Sequence, residues 1–234
     1  LDLNGYDALA KIKILSSLAF NKKISKSNCL MEGIENIEYK DIEIANQLNF
    51  RIKLLGITEI IKNSIFERVH PCMVNKDSYI GNVSGVMNAV ILNGLPIGES
   101  VLQGEGAGPG PTSSAIMSDL LSILRGNIKF PFSISNKERK SLNFKDISER
   151  FFSAYFRFNV IDKPGVLSNI TQIFSRNKVS IKRLVQDPNK NKSSSSIIII
   201  THPSKDKSLN KIIQTINKRS YVKKRSKLIR IDDE

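Results

Sequence analysis

The order of the apolar segments in residues 151–234 constrains the fold more than any other feature of the sequence. Apolar runs and helical periodicity predict six elements there: a strand over 154–161, a helix over 165–177, strands over 179–186 and 195–202, a helix over 206–218 and a strand over 223–231. The polar, serine-rich tract 189–196 is predicted to be a hairpin loop between the two middle strands. The resulting order, β-α-β-β-α-β, is the ferredoxin-like arrangement.

The first 150 residues contain a less regular mixture of predicted elements. Apolar residues at helical spacing predict a helix over 5–20, with Asn4 as its N-cap and Asp7 as a shortened capping-box partner. Further predicted elements are a helix over 41–48, a strand over 51–57 that ends at a glycine turn, strands over 60–68 and 82–93, and a helix over 113–125. Thr112 is the expected N-cap of that last helix, and Gly126 is its expected C-terminal stop.

The length of 234 residues predicts two domains. A polar stretch over 135–145 indicates a linker that begins near residue 133, and we place the domain boundary near residue 150. The 40% of apolar and 25% of charged residues do not fit a disordered chain. No apolar run approaches the ~20 residues that a membrane-spanning helix needs, so we expect no membrane association.

The cysteines and histidines predict no metal or redox site. Cys29 and Cys72 have neither metal-ligand nor redox spacing, and no Lys/Arg-then-apolar leader opens the chain. We therefore expect reduced thiols in a cytoplasmic protein. His70 and His202 are expected to be structural or surface side chains. Because the first residue is Leu and a helical pattern begins almost at once, we also expect the chain to start partway through a longer protein.

Most of the net charge of +14 lies in residues 151–234. Such an imbalance can mark a nucleic-acid-binding protein. The basic residues are mostly lysines in a sequence that is also rich in Asn, Ile and Ser, and the one dense basic run is at 223–225. Since no nucleic-acid motif accompanies the charge, a solvated lysine-rich surface is the favoured interpretation.

A glycine-rich loop over 104–111 precedes the predicted helix 113–125. Glycines allow a backbone to approach a ligand closely, and a helix N-terminus favours an anion. The loop lacks Gly-Lys-Ser/Thr, and proline occupies the last glycine position of G-x-G-x-x-G, so it matches neither familiar phosphate loop. Taken alone, the loop is best interpreted as a plain connection.

Two other groups of residues are candidates for chemistry. Asp7 and Lys11 are spaced i, i+4 and therefore share one face of the first helix. This spacing is typical of a surface ion pair, but it also fits a lysine acid/base beside a carboxylate. The turn 162–167 joins a strand to a helix, and its amides could hold a carboxylate, although a simple tight turn explains it equally well.

Four blocks of the sequence resemble homoserine dehydrogenase, and they occur in that family's order over about residues 1–132. The blocks are residues 1–15 (LDLNGYDALAKIKIL), Glu32-Gly33-Ile34 followed by Asp41-Ile42, residues 81–90 (GNVSGVMNAV), and residues 104–108 (GEGAG) followed by 111–115 (PTSSA). Residues 151–234 are similar to an ACT domain, a small amino-acid-sensing module, through the turn 162–167 and the order of elements. The resemblance implies an α/β (α+β) fold, with a helix-covered mixed β-sheet catalytic and dimerisation domain over 1–150 and a ferredoxin-like ACT domain over 151–234.

The resemblance also implies an activity and a site. The family interconverts L-homoserine and L-aspartate 4-semialdehyde with NADP or NAD, a step in threonine, methionine and isoleucine biosynthesis. The residue that matches Lys11 donates and accepts the proton at the substrate oxygen. The residues that match Asp7 and Asp2 help to bind the substrate.

Further implied contacts concern the cofactor and an effector. The cofactor-binding residues on the nicotinamide side would be Gly104, Gly106, Ala107 and Gly108. The effector, expected to be L-threonine acting in feedback, would bind near Asp162, Gly165 and Val166. A homodimer or homotetramer is expected.

Two features of the family are missing from the sequence: the N-terminal Rossmann domain and a substrate-binding Glu just before Leu1. We therefore expect the chain alone to be inactive and the intact protein to be active. The alternative is a non-enzymatic ACT-type sensor of amino acids or a nucleic-acid-binding regulator. Such a regulator would use a basic face that spans Lys182, Lys211 and Lys224.

Overall fold

A computed structural model describes residues 3–24, 29–127, 134–135, 137–188 and 194–232. The helices in these residues are α1 (Tyr6–Phe20), α2 (Tyr39–Gln47), α3 (Tyr79–Asn82), α4 (Pro109–Leu124), α5 (Val166–Arg176) and α6 (Asp206–Asn217). The strands are β1 (Leu30–Met31), β2 (Phe50–Ile61), β3 (Ser64–Asn75), β4 (Met87–Gly94), β5 (Gly98–Glu105), β6 (Asn143–Phe144), β7 (Phe151–Ile161), β8 (Ile181–Pro188), β9 (Ser194–Thr201), β10 (Ser204–Lys205) and β11 (Val222–Ile231).

One mixed sheet runs through both parts of the chain. Its order from one edge is β2-β3-β11-β7-β9-β8, and the short strands β1 and β6 also pair with β3. The two parts meet where β11 pairs in parallel with β3, with Arg230 opposite Cys72 and Ile231 opposite Met73. The predicted boundary near residue 150 therefore divides the chain within a continuous sheet.

Helices cover both faces of this sheet, and each face has its own apolar core. On β7, Phe156 and Phe158 point to the core beneath α5 and α6. Tyr155, directly before Phe156, points to the second core, which includes Ile44 and Ala45 of α2. Because β7 and β9 are buried on both faces, they carry nearly continuous apolar runs instead of a simple alternation.

The predicted α/β class and the order of elements in residues 151–234 are confirmed. The helices and strands begin and end within two residues of the predicted positions, the usual uncertainty of element ends, except that β7 begins three residues early, at Phe151. Residues 194–196 of the predicted hairpin loop belong instead to β9. The remainder of that loop, 189–193, lies outside the described residues.

The strands predicted over 51–57 and 60–68 were placed wrongly. β2 continues through Gly56 to Ile61, and the chain then turns at Lys62 and Asn63, whose φ angles are 47° and 63°. Two consecutive residues in the left-handed conformation form a hairpin turn whose twist matches that of the flanking strands. Because the turn contains neither Gly nor Pro, no turn is predicted there, and the predicted strand 60–68 includes the turn residues.

Three other local predictions need correction. The segment 82–93 contains the end of α3 and most of β4, which pairs with β5 in a separate two-stranded sheet. Helix α4 begins at Pro109, and its N-cap is Gly108 and not Thr112, because proline is favoured in the first turn. Gly126 follows this helix at φ 74°, as expected of a C-terminal stop.

The polar stretch predicted to be a linker also contributes to the sheet. Lys140 forms a parallel β-bridge with Lys22, and β6 pairs in parallel with Ser64 and Ile65 of β3. Residues 128–133 and 136 lie outside the described part of the chain. The described portion of this stretch therefore packs against the first domain.

Candidate active site

Helix α1 brings Asp7 and Lys11 together at its N-terminal half. The Nζ atom of Lys11 lies 2.7 Å from Oδ2 of Asp7, and the two side chains are 67% and 44% exposed. A pair this exposed contributes only about 0–1 kcal/mol to stability. Its two charged groups are therefore open to a ligand at little cost to the fold. Asp2, the other predicted carboxylate, lies outside the described residues.

The start of α1 is fixed by backbone contacts with the loop after β1. Gly5, with φ 86°, is the N-cap, and Asn4 accepts only a long 3.4 Å bond from the Tyr6 amide, so the predicted Asn4 cap is wrong. The amide of Ile34 donates to the Leu3 carbonyl at 2.8 Å.

Gly33 makes this contact possible. A Cβ atom on Gly33 would lie only 2.3 Å from the Leu3 carbonyl oxygen and 2.5 Å from Cα of Asn4. Because Gly33 has no side chain, the sequence blocks 1–15 and 32–34 can meet at the beginning of the helix.

Buried contacts hold the rest of α1 on the sheet. Ser16 Oγ and Thr58 Oγ1 are 2.8 Å apart, and Ile12 packs over Gly56, where a Cβ atom would approach it to 3.1 Å. Directly after the helix, Nζ of Lys22 lies 2.6 Å from Oε1 of Glu67, and both side chains are almost fully buried. Asp7 and Lys11 thus project from a helix that is anchored along its length.

The third block, residues 81–90, is attached to the strand beneath α1. Arg51 donates to the Gly81 carbonyl at 2.7 Å, and Lys53 donates to the Val83 carbonyl at 2.5 Å. Burial, followed by the charge of Arg51, lowers the pKa of Lys53. Gly81 is also constrained, since a Cβ atom there would lie 2.0 Å from the Asn75 carbonyl oxygen.

The glycine-rich segment connects β5 to α4 and is exposed. Gly104 lies in β5, and Gly108 adopts φ 122° immediately before the helix. A Cβ atom on Gly106 would overlap Nδ2 of Asn88, at 2.0 Å. No residue of β4, β5 or α4, all of which the structure describes, is buried. The Gly106 amide donates to the Val86 carbonyl at 3.4 Å, and the segment as a whole lies on an open surface.

The three predicted effector residues line one cavity at the end of β7. It has a volume of about 310 Å³. Its walls are formed by Val160, Ile161, Asp162, Lys163, Pro164, Gly165, Val166, Leu167, Gln186 and Ile197. Nε2 of Gln186 donates to Oδ1 of Asp162 at 3.4 Å, and Gly165 is the N-cap of α5 with φ 89°. A carboxylate in this cavity would meet the amides at the beginning of α5.

Sequence reasoning missed two buried arginines that join the two halves of the chain. Arg157 on β7 contacts both carboxylate oxygens of Asp41, at 2.6 and 2.9 Å. Arg230 on β11 donates to Oδ1 of Asp206 at 2.7 Å and lies 3.6 Å from Glu32. Arg157 is a lone charge within an apolar strand, a pattern that indicates a buried partner, whereas Arg230 lies in a strand with four other basic residues and gives no such signal.

The electrostatics of these arginines favour the charged form. Burial lowers the pKa of Arg157, but the hydrogen bond and the charge of Asp41 outweigh it and raise that pKa above its ordinary value. The same balance, with Asp206 as the main partner, raises the pKa of Arg230. Burial also raises the pKa of Tyr155, whose hydroxyl donates to Asp41 at 3.1 Å. Both arginines therefore remain charged at neutral pH.

The buried His70 and Cys72 are not acid/base groups at neutral pH. Burial, reinforced by the charges of Arg230 and Arg68, lowers the pKa of His70 to about 3. Burial raises the pKa of the Cys72 thiol to about 12, and neither Cys72 nor Cys29 is in a disulfide. The described residues contain no group of three or more His, Cys, Asp and Glu side chains arranged for a metal ion. Within the same residues, no helix has the length and apolarity to cross a bilayer.

The chain is similar to known proteins over its whole length. Residues 1–121 match the family model of homoserine dehydrogenase, and residues 156–224 match an ACT domain like that of the AHAS small subunit. A homoserine dehydrogenase from Neisseria gonorrhoeae is 34% identical over 99% of this chain, and one from Helicobacter pylori is 33% identical over the same share. The solved structure of a homoserine dehydrogenase from Thiobacillus denitrificans is 32% identical and superimposes with a TM-score of 0.88.

The matched region is only part of each relative. The chain covers 54% of the gonococcal protein, 55% of the Helicobacter protein and 54% of the Thiobacillus chain, about half the length of each. The family model nevertheless spans more than half of this chain, and the residues of all four sequence blocks fall within or beside it. The chain therefore belongs to the homoserine dehydrogenase family and carries an ACT domain after its family-specific part.

Proposed function

We propose that the intact protein is a homoserine dehydrogenase that interconverts L-homoserine and L-aspartate 4-semialdehyde with NADP or NAD. The observation that carries this proposal is the ion pair of Lys11 and Asp7, 2.7 Å apart on the exposed face of an anchored helix. We place the protein in the cytoplasm, in the synthesis of threonine, methionine and isoleucine. Family membership and the two free thiols support this assignment.

In this mechanism, Lys11 donates and accepts the proton, and the carboxylates of Asp7 and Asp2 bind the amino acid. In the reduction direction, the Lys11 ammonium donates a hydrogen bond to the aldehyde oxygen, stabilises the developing alkoxide and transfers its proton. In the other direction, the neutral amine accepts the proton of the hydroxyl group. Asp7, together with Asp2, holds the ammonium group of the substrate and fixes the reacting carbon. A second domain packed over this face would exclude water from the Lys11 amine and the reacting oxygen.

The residues of this chain that would contact the cofactor would form only one edge of its binding site. Bound NADP or NAD supplies or accepts the hydride. We propose that the cofactor meets the exposed backbone of Gly104, Gly106, Ala107 and Gly108. A Cβ atom on Gly104 would have no neighbour within 4 Å, and the segment leads into the 16-residue helix α4, whose first three residues carry a single amide N–H, that of Gly110, because Pro109 and Pro111 have none. The sequence holds no G-x-G-x-x-G unit, so these residues provide only part of the site.

The activity can be tested with the intact protein and with this chain alone. We expect the intact protein to oxidise NADPH or NADH when L-aspartate 4-semialdehyde is added, as followed by absorbance of the reduced cofactor. We expect this chain alone to be inactive, because the supporting contacts cannot hold a dinucleotide. Turnover by the chain alone would contradict the proposed division of the cofactor site, and no turnover by the intact protein would contradict the function.

We further propose L-threonine as the effector in the cavity at residues 160–167. Its carboxylate fits the α5 amides, and its ammonium fits Asp162. At about 100 times its Kd, the ligand stabilises the bound state by about 2.7 kcal/mol. We therefore expect the melting transition of the ACT domain in the intact protein to rise by several degrees, while D-threonine leaves it unchanged. No shift at millimolar L-threonine would point to another ligand.

The exposed apolar surface of β4, β5 and α4 supports a homodimer, or a homotetramer built from such dimers. Ile116 is 61% exposed, Leu120 46% and Leu95 99%. Apolar groups this exposed are favoured in an interface between chains. We expect the double substitution Ile116→Glu and Leu120→Glu in the intact protein to halve the mass measured by light scattering. The exposed Ser118→Glu on the same helix is the control. An unchanged mass of the double variant would place the interface elsewhere.

The alternative of a basic nucleic-acid-binding face is not favoured by the strand order. Lys182 lies on the edge strand β8, and Lys224 lies on β11, with β9 and β7 between them. Lys211 lies on α6, which packs over one face of the sheet. The three lysines therefore belong to separate parts of the ACT domain.

A further inference from the structure

The segment from Glu32 to Asp41, here called the connecting segment, joins β1 to α2 and touches the start of the proposed catalytic helix. Its amide at Ile34 bonds to the Leu3 carbonyl, and Gly33 packs against the backbone of Leu3 and Asn4. These contacts are made between backbones, so a displacement of the connecting segment moves the beginning of α1 with it. Asp7 lies in the first turn of that helix.

Arg157 holds the second end of the connecting segment. It binds Asp41 in a bidentate manner, at 2.6 and 2.9 Å, and its Nη2 atom lies 3.1 Å from Glu38. Glu38 and Asp41 also form the capping box of α2, so the arginine binds the helix N-terminus through both capping side chains. Arg157 and Asp41 are buried, and a buried bidentate pair has little freedom to rearrange.

Arg230 holds the first end. It is 2% exposed, lies 3.6 Å from Glu32, and donates to Asp206 at the beginning of α6. The backbone of Glu32 is separately tied to the sheet, because its amide donates to the Val69 carbonyl at 2.8 Å. Both ends of the connecting segment therefore contact arginines of the ACT domain.

The strand that carries Arg157 leads directly to the effector cavity. Arg157 lies three residues before Val160, and Val160, Ile161 and Asp162 form part of the cavity wall. β7 is also paired on both sides, with β11 and β9, and moves as part of the sheet. A change in the cavity that shifts the end of β7 is therefore transmitted to Arg157 along a continuous strand.

We propose that Arg157 and Arg230 are positioning residues: by holding the two ends of the connecting segment, they set the location of Asp7 and Lys11 and couple it to the effector cavity. This inference rests on the proposed dehydrogenase function. Neither arginine contacts the reacting atoms. Each acts through the backbone contact between Gly33 and the start of α1.

The test uses the intact enzyme and two substitutions that weaken one end at a time. Glu32→Gln removes the charge that faces Arg230, and because Glu32 is 43% exposed, the protein should fold normally. Arg157→Lys keeps the charge but loses the bidentate contact. Glu149→Gln is the matched control. It removes an exposed carboxylate whose ion-pair partners are Lys205 and Lys207 at the beginning of α6, and not Arg157 or Arg230. Each variant is measured for kcat, KM, the pH profile of kcat, inhibition by L-threonine and melting temperature.

We expect Glu32→Gln and Arg157→Lys to lower kcat by about fivefold or more, to move the acid/base limb of the pH profile, and to weaken threonine inhibition by a similar factor. KM should change less than kcat, and Glu149→Gln should match the wild type. A purely structural role would lower the melting temperature without moving the pH profile, and that result overturns the inference.

The remaining outcomes separate this inference from the proposed function. An active wild type with unchanged kcat, pH profile and inhibition in Glu32→Gln overturns the inference alone, even if Arg157→Lys fails to fold. A wild type that is active but insensitive to L-threonine overturns the coupling to the cavity. In that case, the kcat and the pH profile of the variants still test the positioning role. An inactive wild type overturns both proposals.

Discussion

Replacing Lys11 with alanine in the intact enzyme is expected to lower kcat by about 10²–10⁴-fold, the usual contribution of a positioned acid/base group. Stability should barely change, because the side chain is 67% exposed and its pair with Asp7 is worth at most about 1 kcal/mol. The two effects can be separated by measuring kcat beside the melting temperature. A loss of activity at unchanged stability would assign the effect to chemistry.

Two companion variants make the Lys11 experiment specific. Lys23→Ala removes an exposed lysine just after the same helix and should leave kcat unchanged. Lys11→Arg keeps the positive charge, but its guanidinium does not release a proton near neutral pH, so its kcat should also be low. If Lys11→Ala retained turnover within a few fold of the wild type, Lys11 would not be the proton donor and acceptor.

The substitution Gly33→Ala is expected to damage both folding and activity. The added Cβ atom would lie 2.3 Å from the Leu3 carbonyl oxygen and 2.5 Å from the Asn4 Cα, and a backbone cannot move aside as a flexible side chain does. Forcing an atom into such a contact typically costs about 1–3 kcal/mol. Since the displaced atoms precede Asp7 directly, a shift of about 1 Å should also lower kcat by about 10²-fold.

Thermal unfolding and steady-state kinetics of the intact protein measure the two effects of Gly33→Ala. Gly94→Ala is the matched control, because a Cβ atom there has no neighbour within 4 Å and Gly94 does not have a positive φ. It should change neither the melting temperature nor kcat appreciably. Wild-type activity in Gly33→Ala would show that the contact between the loop after β1 and the start of α1 does not position the site.

The features that sequence could predict are those set by short-range periodicity. The elements of residues 151–234 follow from local apolar patterns, and the i, i+4 spacing of Asp7 and Lys11 places them on one helical face. The pairing of β11 with β3 joins strands more than 150 residues apart in the chain, and no local pattern encodes it. The continuous sheet that joins the two parts of the chain therefore could not be predicted from the sequence.

The errors in the candidate site have a similar cause. The sequence predicts a turn at Gly56, but this glycine lies within β2, where Ile12 of α1 approaches it closely. The positive φ of Gly5 made it the cap in place of Asn4. Arg157 gave a signal, a single charge inside an apolar strand, but its partner Asp41 could be found only in three dimensions. The roles of Lys11, Asp7, Asp2 and the glycine segment stay predictions.

The junction between β3 and β11 means that the ACT domain is not a detachable module. Deleting residues 151–234 would leave β3 without one of its hydrogen-bonding neighbours and would strip α2 of the apolar side chains that Ile229 and Ile231 provide. An uncovered strand edge of this kind invites association with other chains. Point substitutions in the wall of the cavity at residues 160–167 would therefore probe the proposed effector site while leaving this architecture whole.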